Sequence, residues 1–89
     1  MNFTGTVVEL TGEPIFRQVS GTISTTNLGW GGELTIQSGE QPCTFRGYLV
    51  IDGGQQGEIF NQRLVIGSNT LQFDGAGPAP IDDRPTPGL

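Results

Sequence analysis

The chain has 89 residues, a net charge of −5, no histidine, and four arginines as its only basic side chains. An acidic surface repels phosphate backbones and anionic lipid, so composition argues against nucleic acid and membrane surfaces as partners. Without histidine no side chain titrates near neutrality unperturbed, and without lysine there is no Schiff base, which removes most catalytic designs.

A domain of this size buries only roughly 60–65% of its unfolded-state surface, so the core is thin and self-association is expected. Fifteen glycines and repeated Val/Ile/Thr runs point to β structure. No window of helical length shows a 3.6-residue apolar period. One cysteine excludes an intrachain disulfide. The N-terminal residues lack a charged-then-apolar leader and no apolar run is long enough to span a bilayer, so a cytoplasmic location is expected.

Taken in order, residues 2–10 and Ile15 to Thr25 read as the first two strands, joined by the turn Gly12-Glu13-Pro14. That turn length sets Glu9 opposite Arg17, Val7 opposite Val19, Gly5 opposite Gly21 and Phe3 opposite Ile23. Residues 26–32 read as a loop carrying Trp30, with Leu28 two residues before it. Glu33 to Ser38 reads as the third strand. The loop Gly39-Glu40-Gln41-Pro42 returns the chain to Cys43, setting Ile36 opposite Phe45.

The stretch from Cys43 to Ile66 reads as a central hairpin. Cys43, Phe45, Gly47, Leu49 and Ile51 share one face, and Phe60, Gln62, Leu64 and Ile66 share another. Joining these faces through the turn Gly54–Gly57 sets Ile51 opposite Phe60, Phe45 opposite Ile66 and Tyr48 opposite Arg63. Cys43 then belongs to the core as a small hydrophobe. Leu71 to Asp74 reads as the sixth strand, with Leu71 opposite Ile66, Phe73 opposite Leu64 and Arg63 opposite Asp74. From Gly75 onward four of the six prolines mark a tail that cannot enter a sheet interior.

The reading is an all-β fold: a small antiparallel up-and-down meander of about six strands, barrel-like or sandwich-like. It forms a single domain over residues 1–74, with a Pro-rich C-terminal tail over 75–89 that is extended or disordered. If the meander closes, strand one meets strand six.

Two surfaces follow. The outer face of the central hairpin gathers Tyr48, Val50, Ile59 and Val65 around Arg46 and Arg63, unusually apolar for a solvent face and suited to a protein partner, a second copy included. The end that carries Trp30, Glu33, Asp52, Gln55, Gln56, Glu58 and Asp74 offers an aromatic ring with carboxylates and amides, a set that fits a glycan or other small ligand. Asp52–Glu58 has too few hard oxygens for calcium, so no metal and no cofactor are expected. Asp82 and Asp83 are adjacent carboxylates in the tail without fixed geometry, so no catalytic residue is assigned. The expectation is a non-enzymatic interaction or assembly module, with ligand binding at the Trp30 end as the alternative.

Overall fold

A computed structural model describes residues 1–27, 29–53 and 55–80. The fold is all-β: six antiparallel strands close into a barrel. They are β1 (Asn2–Glu9), β2 (Pro14–Thr26), β3 (Gly29–Ile36), β4 (Gly47–Ile51), β5 (Gln56–Leu64) and β6 (Thr70–Ala76). The expected meander is present as two three-stranded runs, β1-β2-β3 and β4-β5-β6.

The seams that join these runs differ from expectation. β1 pairs with β4 and β3 pairs with β6. Strand one therefore does not meet strand six, and Ile36 does not face Phe45. Residues 37–46 instead cross one end of the barrel, which places β4 beside β1 in a Greek-key return.

The crossing segment is held by β2. Gln37 N–H donates to the Gln18 carbonyl at 2.8 Å, and Gln18 N–H donates to Ser38 Oγ at 2.9 Å. Arg17 Nε lies 3.0 Å from the Glu40 carboxylate. Phe16 meets Phe45 edge-to-face, centroids 5.5 Å apart. These contacts use the residues that a tight β3–β4 hairpin would have left free. Arg17 therefore pairs with Glu40 and not with Glu9. Cys43 lies outside any strand and is exposed, so its expected place in the core is corrected.

The core contains Phe3, Val7, Phe16, Val19, Ile23, Leu34, Ile36, Leu49, Leu71 and Phe73, all on the faces that alternation assigned or at a bulge that preserves them. The β1–β2 register is shifted by two from expectation, Phe3 facing Gly21 and Gly5 facing Val19. An even shift leaves the buried set unchanged. Bulges between Gly5 and Val8 then allow Phe16 and Val19 to point inward together.

The central hairpin fails the same test. Gly47 faces Ile59, Tyr48 faces Glu58 and Leu49 faces Gly57. This is an odd shift, so β5 turns its other face inward. Ile59 is 1% exposed, whereas Phe60 is 47%, Leu64 50% and Ile66 95% exposed. The cause is Trp30. Its indole enters the barrel and occupies the space that side chains at positions 57 and 75 would need. A Cβ on Gly57 would stand 2.7 Å from Trp30 Cζ2, and one on Gly75 would overlap the ring. Both must be glycine, which fixes the inward parity of β5 as Gly57 and Ile59.

Trp30 is thus a core residue on β3, 8% exposed, and not a loop aromatic. Its Nε1–H donates to the Gly77 carbonyl at 3.0 Å, and its ring meets Phe73 edge-on. Gly75 and Ala76 extend β6 beyond the expected boundary at residue 74, and Pro80 is buried beside Gly57. The remainder of the tail, with Asp82 and Asp83, lies outside the described residues, as do Leu28 and Gly54.

Candidate functional site

The six residues expected to form an interface are dispersed. Ile59 is core. Tyr48 and Val50 are half-buried on β4, with Tyr48 between Val8 and Glu58. Arg46 lines a shallow depression with Leu10 and Cys43. Arg63 stands on β5 near Asp74, and Val65 lies beyond the end of β5. Tyr48 and Arg63 are not partners, since the odd register puts Glu58 opposite Tyr48.

Two other surfaces replace that patch. The first is the tip of the β5–β6 hairpin. Val65 N–H donates to the Thr70 carbonyl at 2.9 Å, and Ser68 closes the turn through Oγ–H to the Val65 carbonyl at 2.7 Å. This geometry leaves Leu64, Val65 and Ile66 exposed in succession. A run of three large aliphatic side chains in water is costly for a monomer.

The second is a groove of about 620 Å³ across the outer face of β2, β3, β6 and β5. Three of the residues expected at a ligand end border it: Trp30, Glu33 and Asp74. Trp30 contributes little surface, because its ring lies in the core. The other four are elsewhere. Asp52 accepts from Thr4 Oγ1 at 2.7 Å, the Gln55 carbonyl accepts from Ile51 N–H at 2.8 Å, and Gln56 borders a depression with Tyr48 and Glu58. No three metal-ligating side chains cluster among the described residues.

The groove's β5 wall is shaped by a bulge between Phe60 and Arg63. Asn61 takes φ 55° there, a conformation that asparagine tolerates better than most residues. The bulge turns Gln62 inward, where its Oε1 accepts from Phe45 N–H at 3.2 Å and its amide donates to the Ile59 carbonyl at 3.3 Å. On the outer side Asp74 accepts from Asn61 Nδ2 at 2.9 Å and from Arg63 Nη1 at 3.3 Å. The Asn61 amide, and then Arg63, hold the Asp74 carboxyl below its ordinary range. The Arg63–Asp74 neighbourhood expected from sequence is therefore present, although the direct strand partner of Arg63 is Gln72.

Sequence reasoning missed Phe60, Leu64 and Ile66 as surface residues because it assigned them to the core. The available signal was Gly57 two residues before Ile59, with Gly75 on the next strand: two small residues able to receive a Trp. No family model, curated protein or solved structure matches the chain.

Proposed function

We propose that this protein is a non-enzymatic assembly module that self-associates through the β5–β6 hairpin tip. The observation behind this reading is the exposed succession Leu64, Val65 and Ile66, the last 95% exposed. Sheet edges do not serve, since each of the six strands has a neighbour on both sides. Full burial of an aliphatic side chain of this size contributes about 1.5–3 kcal/mol. Association costs about 4–15 kcal/mol in lost freedom, so three such side chains support a concentration-dependent contact and not an obligate one.

Sedimentation velocity from about 10 µM to about 1 mM tests this reading, because a weak contact populates over that range. The sedimentation coefficient should rise with concentration for the native chain and stay flat for Ile66→Ser combined with Leu64→Ser. A native chain that remains monomeric across the range overturns the reading.

A further inference from the structure

The groove on the outer face has an ordered cross-section. β2 supplies a hydroxyl wall, Thr22 and Ser24. β3 supplies a trough of bare backbone at Gly29 and Gly31. β6 and β5 supply Asp74 with Arg63, and then the ring of Phe60. We propose that this groove binds a neutral oligosaccharide laid across the strands.

Each part suits that ligand and argues against another. The Phe60 ring, 47% exposed, is a flat apolar surface for the C–H face of a pyranose. The Asp74 carboxylate is fixed by Asn61 and Arg63 at 2.9 and 3.3 Å, so a planar hydrogen-bonding group stands ready for paired sugar hydroxyls without reordering. Arg63 is matched by Asp74, and Glu33 leaves the lining with net negative charge, which disfavours phosphorylated or sulfated ligands. An extended peptide lacks partners here. The backbone groups of the floor are already committed to the ladders between β2, β3, β6 and β5, so no strand can be added. The missing side chains at Gly29 and Gly31 let a chain of sugar rings approach the sheet closely.

The test is titration of the ¹⁵N-labelled full chain with neutral hexasaccharides of glucose, mannose, galactose and N-acetylglucosamine. The amides of Gly31, Glu33, Phe60 and Asp74 should shift with at least one of them. Phe60→Ala should weaken binding about tenfold or more, as loss of an aromatic anchor does, and Phe60→Tyr should retain it. Ser24 is exposed, so Ser24→Arg blocks the hydroxyl wall without touching the core. Loss of binding in this variant with unchanged spectral dispersion supports the proposal even if Phe60→Ala folds poorly. No shift at millimolar glycan, shifts confined to another surface, native affinity in Ser24→Arg, or perturbation by an unstructured peptide but by no glycan each overturns it.

Discussion

Trp30 and Ile66 are both large apolar residues next to a glycine, yet one is 8% exposed and the other 95%. The difference lies in what stands across from them. Trp30 is received by Gly57 and Gly75, whose missing Cβ atoms make room for the indole, and by the Gly77 carbonyl, which accepts its N–H. Ile66 has turn residues after it and, among the described residues, no receiving surface. Hydrophobicity alone does not decide burial; a matching absence elsewhere in the chain does. This contrast can be broken or sharpened by substitution.

The largest effect is expected on the buried side. Trp30→Ala should cost about 3–5 kcal/mol in urea unfolding. Gly75→Ala should cost about 2–3 kcal/mol, because the new methyl meets the indole. The two residues share one space, so the double variant should cost less than the sum, whereas strict additivity would show that Gly75 does not receive the ring. Next come adjacent residues of β5. Ile59→Ala should cost about 2–5 kcal/mol, and Phe60→Ala about 1 kcal/mol or less. The reverse ranking would restore the register expected from sequence.

A smaller, pH-dependent effect is expected at the crossing segment. The Glu40 carboxyl is lowered from 4.5 to about 2 by the Ser38 hydroxyl and then Arg17. A lowered folded-state pKa means stability that is full above about 4.5 and lost as pH falls toward 2. Glu40→Gln should flatten that part of the acid-unfolding profile. The exposure of the Arg17–Glu40 pair makes the effect modest and weaker in salt. Smallest of all, Ile66→Ser should leave unfolding stability within about 0.5 kcal/mol while lowering self-association.

Much of the architecture was legible in alternation. Phe3, Val7, Val19, Ile23, Leu34, Ile36, Leu71 and Phe73 are buried on the faces it assigned. Turns near Gly12, Gly39 and Gly67 gather at one end, as the antiparallel order requires. The β5 face was not legible, because Phe60, Leu64 and Ile66 make a stronger apolar row than Gly57, Ile59 and Gln62. Only a residue distant in sequence, Trp30, reverses that preference. The seams were not legible either. Local turn lengths favour neighbours in the chain, and the Phe16–Phe45 and Arg17–Glu40 contacts that carry residues 37–46 across the barrel end span more than 20 positions. The groove was half legible: Glu33 and Asp74, read from sequence at one end of the sheet, border it, whereas Phe60, read as core, stands exposed on its wall.

The two long-range seams also have a kinetic consequence. Four of the six pairings can form by zipping within a half of the chain, but β1–β4 and β3–β6 must each bring together residues roughly forty positions apart. Closing loops of that length is slow, so refolding is expected in milliseconds to seconds, as for other all-β topologies. Until those seams form, each half carries bare edges that another chain's strands could occupy. Dilution during refolding should therefore raise the yield of closed barrel far more than it alters the barrel once made.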